Sequence, residues 1–238
     1  MKNIKLIYIL PNLFTALSVF FGMMSIIASS QDKFEKAFIY IVLSFIADGL
    51  DGRVARMTNT QSKFGLEFDS LADIVAFGVA PAMMLFFAVG DQYGRFGGLI
   101  TGLFVVFGAI RLARFNVTTQ NNDPNVFIGL PIPTASAVLA SFTMLNENLN
   151  HQFNIGLLIM ALGLGILMVS NVRFPSFKKL NFQKNAKLKV LVSIIIVASF
   201  LFLYPIWTLA ITLGGYTLFG LIRAGFSLMK VMNLKNRS

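Results

Sequence analysis

Residues 47–74, ADGLDGRVARMTNTQSKFGLEFDSLADI, hold five of the ten acids in a chain of 238 residues. Four of them, Asp48, Asp51, Asp69 and Asp73, are set into apolar sequence, with FIYIVLSFI upstream and VAFGVAPAMMLFFAV downstream. A carboxylate at the centre of a membrane helix costs about 2.5–3.5 kcal/mol on insertion scales. Four together therefore demand a partner. Asp48 and Asp51 are three residues apart and Asp69 and Asp73 four apart, so each pair shares one helix face. Asp48 lies eight residues before Arg56 and Asp73 eight after Gly65, which puts both about 12 Å from a polar helix end. An antiparallel hairpin would gather the four carboxylates just below the headgroup layer. Like charges so placed need a counter-ion, and one or two oxygen-loving divalent cations, Mg²⁺ or Mn²⁺, meet that need.

The rest of the chain agrees with a membrane setting. It is 56% hydrophobic and only 13% charged, in apolar segments of about twenty residues each. The expected fold is all-α, a polytopic transmembrane bundle of eight spans at about 11–29, 35–56, 66–89, 96–115, 131–146, 153–171, 187–204 and 206–229. One membrane-embedded catalytic domain accounts for residues 1–238. Within it, 1–10 form an interfacial amphipathic segment, 47–74 the acidic hairpin and 187–229 an additional helix pair. Of the 20 Lys and Arg residues, 17 fall on the side of the N-terminus and only Lys33, Lys36 and Arg95 on the other. That asymmetry places both termini and the acidic mouth in the cytoplasm, in an inner (cytoplasmic) membrane. The net charge of +10 then reads as topology and attraction to anionic lipid rather than nucleic-acid binding. There is no cysteine, and the single histidine, His151, sits in a polar loop, which rules out thiol chemistry and any mechanism needing two histidines. Gly98, Gly102 and Gly108 in the fourth span, and Ala135, Ser136 and Ala140 in the fifth, are expected to form close-packing faces within a subunit or across a dimer.

The spacing D-x2-D-G-x2-A-R-x8-G-x3-D-x3-D is met without a gap by Asp48, Asp51, Gly52, Ala55, Arg56, Gly65, Asp69 and Asp73. It resembles the signature of the CDP-alcohol phosphatidyltransferases, integral membrane enzymes of phospholipid synthesis. By that resemblance Asp48, Asp51 and Asp69 bind metal. Asp73 is the general base that takes a proton from the incoming alcohol, and it also touches a second metal. Gly52, Ala55 and Gly65 clear room for a nucleotide to approach the backbone, and Arg56 offers a permanent cation to phosphate. A site at the bilayer edge suits CDP-diacylglycerol, whose phosphates sit at headgroup level while its tails stay in lipid. With no Ser, Cys or His placed as a nucleophile, direct in-line attack by the alcohol is the simplest scheme.

Three further stretches, AIRLARFN (109–116), FIGLPIPTASA (127–137) and MVSNVRFPSFKK (168–179), are similar to the serine-using bacterial members of that family. The resemblance implies transfer of a phosphatidyl group from CDP-diacylglycerol to L-serine, giving phosphatidylserine and CMP, by an enzyme that is a homodimer. Arg111 and Arg114 share a face at the end of the fourth span, placed to bind the lipid phosphate or the serine carboxylate, or to anchor headgroups. Asn12 is placed either to cap the first span or to reach the cytidine. The same chemistry with glycerol-3-phosphate or an inositol phosphate is the alternative within the class. A cation transporter using the intramembrane aspartates is the alternative outside it.

Overall fold

Thr15, Ser18, Gly22, Ser25 and Ser29 recur at three- and four-residue intervals along α1 (Ile9–Ser29), so one face of this helix carries only small side chains and is buried. A computed structural model of the chain describes residues 9–118, 126–175, 192, 195 and 199–235. Residues 1–8 of the expected interfacial segment, and most of the expected seventh span, lie outside the described residues. Helix α1 already begins at Ile9, so Pro11 falls in its first turn, where a missing amide hydrogen costs nothing.

Helix α2 (Phe34–Met57) lies along that small-residue face. The Ser18 and Ser44 hydroxyls meet there at 2.8 Å, and Ser44 Oγ also reaches the Ser18 carbonyl at 2.8 Å. Next comes a single helical rod in three sections, α3 (Lys63–Asp73), a π-helical turn (Ile74–Val79) and α4 (Ala80–Ala88). Ser62 caps its start by accepting the Gly65 amide hydrogen at 3.0 Å. The π turn begins directly after Asp73 and buries Ala76, Phe77 and Gly78. A Cβ on Gly22 would lie 2.9 Å from Ala76 Cα, so α1 and the π turn touch backbone to backbone. Phe77 stacks on Phe45 of α2, centroids 4.4 Å apart, in the main apolar cluster.

After a 3-10 turn (Gly90–Tyr93), α5 (Arg95–Thr118) directs Gly97, Thr101, Phe104, Gly108 and Arg111 inward. Of the three α5 glycines expected to form close-packing faces, Gly108 packs inside the chain and the other two face outward. Gly98 and Gly102 are exposed, and nothing lies within 4 Å of a Cβ on Gly102. The inward face carries Gly97 on the Gly90 backbone and Gly108 on Ile132. Helix α6 (Ile132–Asn148) is buried on all sides at Ala135 to Ser141 and occupies the middle of the bundle. Its Ser141 and Thr143 hydroxyls are satisfied by carbonyls one turn back. Helix α7 (Asn154–Val169) packs on α5 and α6. Helix α8 (Pro205–Lys235) runs along α6, with Gly214 against Phe142 and Gly220 against Phe174.

The only strands among the described residues are β1 (Val126–Ile128) and β2 (Arg173–Pro175), an antiparallel ribbon pairing Phe127 with Phe174. Sequence patterning did not anticipate this ribbon. Four helical stretches among the described residues are long and apolar enough to cross a membrane: Ile9–Ser29, Lys63–Ala88, Arg95–Thr118 and Pro205–Ile222. Helix α2 is excluded from that set by the charges it carries. Helices α6 and α7 have 17 and 16 residues, about 25 Å of rise, slightly short of a full hydrocarbon core.

Candidate active site

The three helices around the acids do not form the simple hairpin expected from spacing. Helix α1 packs along both α2 and α3, adding a third helix to the pair. The carboxylates of Asp48, Asp51 and Asp69 nevertheless converge, each offering an oxygen within 4.8 Å of the others. Asp73 lies beside them, its carboxyl next to that of Asp48. All four acids singled out in the sequence thus occupy one cluster. Asp51 is the most enclosed, 7% exposed, and accepts a hydrogen bond from Thr15 Oγ1 at 2.6 Å.

Three close carboxylates in a half-buried setting repel one another strongly, because the low local dielectric magnifies charge. An all-oxygen, anionic donor set of this kind suits a hard divalent cation and offers nothing to a thiophilic one. Asp48, Asp51 and Asp69 can hold such a cation. No other group of three or more acids or histidines able to do so is present among the described residues.

Beside the cluster opens a solvent-facing cleft of about 220 Å³. Its walls include Asn12 and Thr15 of α1, Asp51, Gly52, Ala55 and Arg56 of α2, and Gly65 and Asp69 of α3. Every residue of the expected nucleotide group (Gly52, Ala55, Arg56, Gly65 and Asn12) lines this one cleft. Gly65 is where space matters most: a Cβ there would lie 3.2 Å from Ser62 Oγ and 3.3 Å from Asn12 Oδ1. The α2–α3 loop adds Thr60, Gln61 and Ser62, which the motif did not point to.

Arg111 and Arg114 part company. Arg111 is 6% exposed, its guanidinium 5.1 Å from the Phe115 ring centroid and within electrostatic reach of Asp73. Its Nε has no hydrogen-bond partner among the described residues. Arg114 instead turns its two terminal nitrogens onto the carbonyls of Ile128, Met168, Val169 and Ser170 and onto Asn171 Oδ1, at 2.9–3.3 Å. It caps the C-terminus of α7, where orphan carbonyls and the helix dipole favour a cation, and ties that end to β1. Gly129 makes this possible: it sits at φ +76°, and a Cβ would collide with the Met168 carbonyl and approach Arg114 Nη2 to 2.7 Å. Asn116, two residues on, donates to Ser70 Oγ at 2.9 Å and joins the end of α5 to α3.

Thr15 was missed in the sequence, although the small polar stripe of α1 was there to be read. Comparison with known proteins adds the following. The family model described as CDP-alcohol phosphatidyltransferase matches residues 8–169. A Helicobacter pylori protein called CDP-diacylglycerol–serine O-phosphatidyltransferase is 48% identical over 98% of each chain. One of the same name from Methanocaldococcus jannaschii is 36% identical over 74% of this chain and 79% of its own length. An archaetidylserine synthase from Methanothermobacter thermautotrophicus is 35% identical over 73% of this chain and 72% of its own.

Proposed function

We propose, from the premise that this chain belongs to the CDP-alcohol phosphatidyltransferase family, that it transfers the phosphatidyl group of CDP-diacylglycerol to the hydroxyl of L-serine, releasing CMP. The observation that carries the reading is the convergence of Asp48, Asp51 and Asp69, two of which, Asp51 and Asp69, line a cleft shared with Gly52, Ala55, Arg56 and Gly65. The relatives that span nearly all of this chain are named for serine as acceptor.

In this reading Asp48, Asp51 and Asp69 would hold one or two Mg²⁺ or Mn²⁺ ions, with Asp73 available to a second. Such ions, when bound, neutralise charge on the pyrophosphate and on departing CMP. The protein's own residues do the rest. Gly52, Ala55 and Gly65 keep the cleft wall open for the nucleotide, Asn12 faces it, and Arg56 at the rim meets phosphate. Arg111 presents a buried guanidinium with an open donor to the serine carboxylate. Asp73 accepts the serine hydroxyl proton as that oxygen bonds to the diacylglycerol-bearing phosphorus, and the bond from phosphorus to CMP breaks. The alcohol oxygen attacks phosphorus directly, so no covalent enzyme intermediate is required.

The reading extends to topology and assembly. Both termini and the cleft face the cytoplasm of an inner membrane, supported by the 17-to-3 distribution of basic residues. The chain forms a homodimer, for which outward-facing Gly98 and Gly102 of α5 offer a close-approach surface. Residues 1–238 act as one catalytic domain, with residues 187–229 as an appended helix pair. The test is CMP release from CDP-diacylglycerol by the purified protein with serine, glycerol-3-phosphate or inositol phosphate as sole acceptor. Serine alone should drive it; release with a phosphorylated acceptor and none with serine overturns the assignment.

A further inference from the structure

Thr15 is 3% exposed and belongs to α1, outside the acidic motif. Its hydroxyl lies 2.6 Å from Asp51 Oδ2, the short separation of a hydrogen bond to an ionised carboxylate. The competing acceptor, the Pro11 carbonyl one turn back, is at 3.2 Å, and the hydroxyl has one proton to give. No other side-chain hydroxyl among the described residues donates to an acid of the cluster. The Gly52 amide and Arg56 guanidinium also act on Asp51, but both belong to its own helix. Thr15 is the contact that reaches Asp51 from outside α2. It also lines the cleft, so it sits where the orientation of that carboxylate decides how the donor set is presented.

We infer that Thr15 is a positioning residue for the divalent cation: by engaging Asp51 Oδ2 it fixes the carboxylate plane and leaves Oδ1 for the ion. The inference rests on the metal role given to Asp51 above. Partners that orient a ligating group typically change metal affinity by about 10–100-fold when removed. The small-polar face of α1 then serves two ends at once, close helix packing at Ser18 and ligand orientation at Thr15.

The test is direct Mn²⁺ titration by electron paramagnetic resonance on the full chain in nanodiscs, without substrate, on wild type, Thr15→Val, Thr15→Ser, Ser18→Ala and Asp51→Asn. Thr15→Val keeps the side-chain shape and removes the hydroxyl, and should weaken Mn²⁺ binding about tenfold or more. Thr15→Ser keeps the hydroxyl and should stay within about twofold of wild type. Ser18→Ala breaks a hydrogen bond one turn deeper on the same helix pair and should leave Mn²⁺ affinity unchanged. Wild-type affinity in Thr15→Val, or equal losses in Thr15→Val and Ser18→Ala, overturns the inference while leaving the metal site standing if Asp51→Asn still abolishes binding. Unaltered binding in Asp51→Asn overturns the site and the inference together.

Discussion

Replacing Asp73 by Asn separates proton transfer from cation binding, because Asp73 touches both groups of the site. It lies beside Asp48 and near Arg111, yet it is not among the three carboxylates whose oxygens converge within 4.8 Å. The amide is nearly the same shape and can still hydrogen-bond the Asp48 carboxylate, so the packing before the π turn survives. What is lost is the acceptor proposed for the serine proton. A positioned general base contributes about 10²–10⁴ in rate, or about 3–5 kcal/mol of barrier at 1.36 kcal/mol per tenfold. Turnover in Asp73→Asn should fall by that factor, while Mn²⁺ binding and the KM for CDP-diacylglycerol change less than about threefold. Initial-rate CMP release in lipid nanodiscs, with Mn²⁺ affinity measured on the same samples, reads both quantities. Turnover within tenfold of wild type would refute Asp73 as the base. Loss of Mn²⁺ binding in step with turnover would make it chiefly a metal ligand.

Three further outcomes are expected. Arg111→Leu should raise the KM for serine by about 10–150-fold, since a charge-assisted contact is worth about 1.5–3 kcal/mol; an unchanged serine KM would return Arg111 to a packing role. Arg114→Ala should lower the melting temperature in detergent by several degrees through the lost cap on α7, with serine KM unaltered in the folded fraction; a raised serine KM at unchanged melting temperature would restore the anion-binding role expected from sequence. Gly65→Val should raise the KM for CDP-diacylglycerol about tenfold and spare Mn²⁺ binding, because the added side chain meets Ser62 and Asn12 at the cleft wall rather than the carboxylates; equal effects on both would place the nucleotide elsewhere.

The acidic site was legible because helical periodicity and membrane energetics act on few residues with large penalties. Aspartates at 48, 51, 69 and 73 in apolar sequence admit few arrangements, and the cluster follows from their spacing. What spacing could not supply was the third wall. Helix α1 carries no charge within its span, and Thr15 and Ser18 read as ordinary small packing residues until α2 is laid against them. The arginines show the same limit. Arg111 and Arg114 are equivalent on a helical wheel, yet one meets the acid cluster and the other meets the exposed carbonyls ending α7, a helix some 40 residues further along the chain. Which glycines of α5 face inward is decided in a related way: Gly97 and Gly98 are identical in composition, and only the position of the Gly90 backbone decides which must be small inside the chain. The β-ribbon at residues 126–128 and 173–175 pairs segments distant in sequence and has too few residues for periodicity to register.

Growing crystals with Mn²⁺ and collecting diffraction at the manganese absorption edge would locate the ion without assumption. An anomalous peak enclosed by Asp48, Asp51 and Asp69, with Asp73 beside it, is the result expected. A strong peak elsewhere in the bundle, or none in crystals of protein active with Mn²⁺, would contradict a cation-centred site formed by these aspartates.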